Sequence, residues 1–114
     1  MEKYSYVNKT MIDTVYNTKG RIVNEEIRTI GLSFLKLRDL LFSLGKIITE
    51  NVSEQSYVAI IKSGFLKLTS VILVLQLQSK NVVIAAYSVG AINREKVCKG
   101  AINELRSKIE QCVG

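Results

Sequence analysis

The stretch GFLKLTSVILVLQLQS, residues 64–79, is the most apolar run in the chain, and its secondary structure decides the fold class. A membrane-spanning helix needs about 20 consecutive apolar residues. Lysine and glutamine side chains interrupt this run, so that only residues 71–75 are unbroken. We therefore exclude a membrane span, which leaves a strand or a buried helix as the alternatives.

The same stretch carries two competing periodicities. A strand is indicated by alternating apolar residues, with glutamines on the opposite face and a turn at residues 79–81 before a second strand. A helix is indicated by spacings of 3 and 4 that begin before the run and continue beyond it. The residues at this second spacing are Val58, Ile61, Phe65, Leu68, Ile72, Leu75, Val82, Ala86 and Val89. Because a hairpin does not predict such continuity, we favour the helix.

Three other segments show a helical spacing of apolar residues. The longest predicts one helix from Val23 to Ile48, a shorter segment predicts a first helix from Tyr4 to Val15, and the last runs from Cys98 to Cys112. An Asn-Val-Ser-Glu sequence at 51–54 predicts the N-terminus of a further helix. Together these patterns predict an all-α bundle of about four helices in a single domain of residues 1–114. The alternative is an α+β fold with a hairpin near residues 69–88.

Composition limits the functions that the chain can have. It has 114 residues, no Pro, no His and a net charge of +6. A basic balance favours polyanionic partners such as nucleic acid, although a soluble basic protein without such a partner has the same composition. The N-terminus lacks the apolar region of a signal peptide, which predicts a cytoplasmic location. Two cysteines are too few for a zinc site, and their place on the apolar stripe of the last helix predicts buried free thiols.

The residue types that commonly take part in catalysis do not form a recognisable catalytic motif. Histidine, the commonest general base, is missing, and the glycines have no phosphate-binding spacing. We therefore expect no enzymatic activity, no cofactor and no metal site. The last segment instead carries a basic edge that can contact phosphates or simply face solvent: Arg94, Lys96, Lys99 and Arg106. This edge is the candidate nucleic-acid surface.

The number of large apolar residues exceeds what four short helices can bury. A second apolar face on the predicted 23–48 helix, including Leu35 and Phe42, indicates either an interface with another subunit or a fully buried central helix. Val71 and Val74 lie on the less well covered face of the 64–79 stretch and are further interface candidates. The sequence therefore also predicts a partner protein or self-association, as a helical scaffold or adaptor.

Two segments give the chain a resemblance to a known family. GLSFLKLRDLLFSLGKI (31–47) and IAAYSVG (84–90) are similar to two patterns in the small helical subunit of type III CRISPR effector complexes. The resemblance implies a non-catalytic RNA-binding subunit that stacks along a guide RNA–target filament. It also makes Lys36 and Arg38 candidate RNA contacts. The expected function is therefore binding of single-stranded RNA within a larger ribonucleoprotein complex.

Overall fold

The computed structural model describes residues 2–16, 18, 20–63, 69–89 and 93–113. A short 3-10 turn, Glu2–Tyr4, leads into the first of three helices, and five strands lie between the first helix and the last. The helices are α1 (Ser5–Thr14), α2 (Phe34–Leu44) and α3 (Arg94–Val113). The strands are β1 (Val23–Arg28), β2 (Gly45–Asn51), β3 (Ser56–Ser63), β4 (Thr69–Leu77) and β5 (Asn81–Ser88).

The strands form one antiparallel sheet in the order β1-β5-β4-β3-β2. Strands β2 to β5 follow each other in a meander, and β1 lies beside β5, so β1 and β2 are the two edges. Helix α1 packs on one face of the sheet, whereas α2 and α3 pack on the other. The molecule therefore has three layers, with the sheet in the middle and helices on both of its faces.

The predicted all-α bundle is wrong, and the fold is the α+β alternative. Residues 69–88 form a hairpin in which β4 and β5 pair from Val71 opposite Ser88 to Leu77 opposite Val82. The Gln78 backbone N–H donates to the carbonyl of Asn81 at 2.8 Å and closes the turn. The first part of the opening stretch, residues 64–68, lies outside the described residues.

Burial of β4 on both faces explains why its sequence pattern resembled that of a helix. Leu73 and Leu75 point towards α2 and α3, while Val74 points towards α1, and all three are fully buried. A strand covered on both sides needs no polar residue at alternate positions and becomes a continuous apolar run. Such a run matches spacings of 2, 3 and 4 equally well, so the spacing of 3 and 4 carried no information about a helix here.

The predicted 23–48 helix is also wrong, because that segment forms β1, α2 and β2. Gly31, with φ +83°, adopts a backbone conformation that side chains disfavour, and it separates β1 from α2. The Ser33 hydroxyl then caps α2 by accepting from the backbone N–H of Lys36 at 3.0 Å. Helix α2 ends at Leu44, and β2 begins at Gly45 without an intervening loop.

The terminal helices are confirmed, whereas the predicted capping site at residues 51–54 has a different role. Helix α1 buries Val7 and Met11 against the sheet, as its spacing predicted. The Asn51 carboxamide oxygen accepts from the backbone N–H of Glu54 at 3.1 Å and from the Ser53 hydroxyl at 2.9 Å. These bonds close the turn between β2 and β3, because an asparagine side chain stabilises turns by the same local hydrogen bonds that cap helices.

The two cysteines are both free but differ in exposure. Cys98 is buried against the sheet as expected, whereas Cys112 is exposed, which corrects the prediction that both are buried. Cys112 lies in the last turn of α3, close to the chain end. Burial raises the pKa of the Cys98 thiol to about 11.

We expect only one thiol per chain to react quickly with Ellman's reagent at pH 8. The thiolate is the reactive form, and Cys98 is both inaccessible and protonated at this pH. Cys112 should react within minutes, and Cys98 should react only after denaturation. The Cys112→Ser variant is the control and should show no rapid reaction. Two thiols that react equally fast in the native protein would contradict the burial of Cys98.

Candidate interaction surfaces

One flank of α2 exposes large apolar side chains beside the edge strand β2. Leu35 and Phe42 lie two turns apart on the helix and are 66% and 51% exposed. Arg38 lies between them, with its guanidinium carbon 5.0 Å from the centre of the Phe42 ring. Its Nε also contacts the Glu50 carboxylate on β2 at 3.1 Å, which joins the helix to the strand. Together with Ile48, these residues form what we call the α2–β2 surface.

Strand β2 is open along its outer side. It pairs with β3 and has no second strand neighbour in the part of the chain that the structure describes. The pairing with β3 shifts register between Ile47 and Thr49, so Ile48 lies in a bulge, and its side chain is 47% exposed. The α2–β2 surface thus combines unpaired backbone groups with exposed apolar side chains.

The opposite edge of the sheet is formed by β1, whose polar side chains contact other parts of the same chain. Four of the six residues of β1 are polar. Glu25 contacts Arg106 of α3 at 3.4 Å, Glu26 contacts Lys3, and the side-chain amides of Asn8 and Asn24 hydrogen-bond to each other. These intramolecular contacts occupy three of the four polar side chains of β1. The exposed large apolar side chains Leu35, Phe42 and Ile48 lie at the β2 edge, whereas neither apolar residue of β1 is exposed.

The four predicted interface residues separate into two pairs. Leu35 and Phe42 are exposed and belong to the α2–β2 surface. Val71 and Val74 are fully buried, Val71 on the face covered by α2 and α3 and Val74 on the face covered by α1. The prediction of an interface role for these two valines is corrected, because helices of the same chain cover them.

A second surface surrounds the first turns of α3. Arg94, Lys96, Lys99 and Asn103 line an open groove of about 760 Å³. An adjoining depression of about 540 Å³ shares Arg94 and Lys99 and extends to residues 20–25, which include Arg21. We call the combined feature the α3 groove. Arg21 is more than 70 positions away in sequence, so no spacing pattern indicated that it lies beside the basic edge.

The cations of the α3 groove differ in their contacts. Lys99 pairs with Glu95 at 3.1 Å, one turn away. The guanidinium carbon of Arg94 lies 5.8 Å from the centre of the Tyr87 ring, and its buried Nε has no hydrogen-bond partner among the residues that the structure describes. Arg21 and Lys96 make no ion pair within the described residues. Within the described part of the chain, Arg21, Arg94 and Lys96 therefore have no carboxylate partner.

The six predicted nucleic-acid contacts do not form one surface. Arg94, Lys96 and Lys99 line the α3 groove, whereas Arg106 contacts Glu25 and Asn103. Lys36 lines a separate depression near the C-terminal end of α3, together with Lys108 and Cys112. Arg38 belongs to the α2–β2 surface. The structure thus brings together three of the six predicted residues and adds Arg21 to them.

The described residues contain no cluster of three or more side chains that could hold a metal ion.

Burial raises the pKa of the Tyr57 hydroxyl to about 12, and this hydroxyl donates to the carbonyl of Phe34 at 2.6 Å. The Tyr57 and Phe34 rings also stack, with centroids 4.3 Å apart. Tyr57 therefore anchors α2 to the sheet and does not supply an ionised nucleophile near neutral pH.

Comparison with protein-family models, curated proteins and solved structures found no match for this chain. The described helices include none that is both long and apolar enough to cross a membrane.

The two segments that resemble the CRISPR small subunit are not helical throughout. The first forms α2 and the start of β2, and the second forms the end of β5. Gly90 of the second segment lies outside the described residues. The resemblance itself stays a prediction.

Proposed function

We propose that this protein is a non-enzymatic interaction module that associates with a second copy of itself through the α2–β2 surface. The observation that carries the proposal is the position of Leu35 and Phe42 on a helix that flanks an open strand edge. A site with both features can extend a sheet and bury apolar side chains in one contact. Assembly, rather than catalysis, is the function that this geometry supports best.

The arrangement suits a second copy because it is self-complementary. A twofold axis perpendicular to the sheet at this edge pairs β2 with β2 of the second copy in antiparallel orientation. The same operation keeps the two faces of the sheet aligned, so α2 meets α2 of the second copy. Exposed Leu35 and Phe42 side chains from both copies then cover each other. The bulge at Ile48 shortens the stretch that can pair, so the helix contact supplies most of the stabilisation.

The proposal can be tested by removing the apolar contact between the two α2 helices. Burying the exposed part of Leu35 or Phe42 contributes about 1–2 kcal/mol per side chain, and a dimer buries each of them twice. We expect the protein to dimerise with a dissociation constant on the order of micromolar in sedimentation experiments. The Leu35→Ser/Phe42→Ser variant should weaken dimerisation at least about 100-fold, because each 1.4 kcal/mol changes the constant tenfold.

The control variant changes two exposed aliphatic residues elsewhere. Ile30 and Val89 are 78% and 60% exposed, and neither belongs to the α2–β2 surface. Ile30→Ser/Val89→Ser should dimerise like the original chain, and circular dichroism should show that both variants are folded. A protein that stays monomeric at several hundred micromolar would refute the proposal. Equal loss of dimerisation in both variants would refute the assignment to this surface.

Membership of a ribonucleoprotein complex and a cytoplasmic location stay expectations from the sequence. They are compatible with a self-associating module, because a repeated subunit of a filament contacts copies of itself. Isolation of the protein with its native partners tests both. Recovery with RNA in a multisubunit complex is the expected result, and recovery as a homo-oligomer without nucleic acid would contradict the ribonucleoprotein expectation.

A further inference from the structure

The α3 groove combines cationic side chains from two distant parts of the chain. Arg94, Lys96 and Lys99 come from the first two turns of α3, and Arg21 comes from the segment that enters β1. They line two depressions that adjoin at Arg94 and Lys99. We propose that this groove binds the phosphate backbone of single-stranded nucleic acid.

Charge balance in the groove favours an anionic ligand. Arg21, Arg94 and Lys96 have no carboxylate partner within the described residues, and the buried Nε of Arg94 has no hydrogen-bond acceptor. Lys99 does pair with Glu95, but the Glu95 side chain is 72% exposed. Exposed ion pairs are weak, so a phosphate can compete with Glu95 for Lys99. Three or four cations are therefore available for phosphate contacts.

The spacing of these cations favours a polymer over a single phosphoryl group. Arg94 and Lys99 lie five residues apart on α3, which corresponds to about 7.5 Å along the helix axis at 1.5 Å per residue. The groove continues past them to Asn103 and, through the adjoining depression, to Arg21. Groups spread over this distance contact successive phosphates of a strand, whereas a site for one phosphate brings its donors together at one point. The groove lies on the outside of α3 and is open to solvent, so a strand can pass along it.

The proposed contact is electrostatic and therefore depends on salt. For single strands, the slope of the logarithm of the binding constant against the logarithm of salt concentration is about −0.7 per phosphate contact. Three contacts give a slope of about −2, so affinity should fall roughly 20-fold between 50 and 200 mM salt. Glu25 and Glu95 also line the groove and reduce its net positive charge. We expect binding without sequence preference.

Fluorescence anisotropy with 5′-labelled 15-nucleotide oligouridine and oligothymidine tests the proposal at 50, 100 and 200 mM salt. The original chain should bind both probes with the slope given above. The Arg94→Gln/Lys96→Gln variant should bind at least about tenfold more weakly at 50 mM salt, and its slope should fall to about −0.7. Binding of only one probe would overturn the proposal that the backbone alone is recognised.

The control variant removes the same charge from other sites. Lys62 lies on the α1 side of the sheet, and Lys80 lies in the turn before β5, at the opposite end of that strand from the first turn of α3. Lys62→Gln/Lys80→Gln should bind like the original chain, within about threefold. Failure of the original chain to bind at 50 mM salt would overturn the proposal. So would an equal loss in both variants, or binding of inorganic phosphate that protects the groove while neither oligonucleotide binds.

Discussion

Replacement of Gly45 by alanine is expected to destabilise the protein by about 3 kcal/mol or more. Helix α2 passes directly into strand β2 at this residue, and β2 pairs at once with β3. A Cβ atom here would collide with the carbonyl oxygen of Ile60 and lie 2.9 Å from the Cα atom of Ile61. Both neighbours are backbone atoms of a central strand, so they cannot move aside without breaking the pairing of β2 with β3.

This cost lies at the upper end of the range for overpacking, which is typically about 1–3 kcal/mol and occasionally more. Thermal unfolding should show a midpoint lowered by roughly 12 °C, since about 1 kcal/mol corresponds to roughly 4 °C for a chain of this size. Because β2 belongs to the α2–β2 surface, the same variant should also dimerise less well. Urea unfolding gives the change in free energy directly.

Gly100→Ala is the matched control. Gly100 lies inside α3, where alanine is favoured over glycine by about 1 kcal/mol. A Cβ atom there would lie 3.3 Å from the Ser63 hydroxyl oxygen, which is the end of a side chain that can rotate. We expect stability within about 1 kcal/mol of the original chain. If Gly45→Ala were no more destabilising than Gly100→Ala, the direct passage from α2 into β2 would be wrong.

Leu73→Ala is expected to cost about 2–5 kcal/mol, the range for a large apolar residue removed from a closed core. Leu73 is fully buried in the centre of β4, directly between Ala59 of β3 and Ala86 of β5. These two alanines leave space that the leucine and the residues of α2 and α3 fill. Truncation would leave three alanines side by side beneath the helices, and the next residues of that row, Val23 and Ile47, lie on the two edge strands.

The control for this variant is Leu77→Ala on the same strand and the same face of the sheet. Leu77 is half-buried at the end of β4, where solvent can occupy the space left by truncation. We expect a loss of about 1 kcal/mol, measured by the same urea unfolding experiment. Equal losses for the two variants would show that β4 is not buried in the way described.

The candidate surfaces could be predicted in part. The sequence left Leu35 and Phe42 open between an interface and a fully buried central helix, and the structure shows that both are exposed. Lys96 and Lys99 were predicted to share one helix edge because they lie three residues apart, and both line the α3 groove. Arg106 was predicted on the same edge but contacts Glu25 instead. The burial of Val71 and Val74 within the chain could not be predicted, since a strand covered on both faces is as apolar as a surface that binds another protein. Arg21 could not be found, because sheet pairing of β1 with β5 brings it to α3.

The sequence by itself determined the terminal helices, the free cysteines, the basic charge and the apolar content. These features depend on local spacing and on composition, which are present before the chain folds. Tertiary structure decided which parts of residues 23–88 form strands and which form a helix. A strand that is covered on both faces lacks the alternating polar residues that would reveal its period of two. There, pairing between distant segments overrides local preference. The helices α1, α2 and α3 cover the sheet, and only that covering explains why residues 71–75 are continuously apolar in a strand.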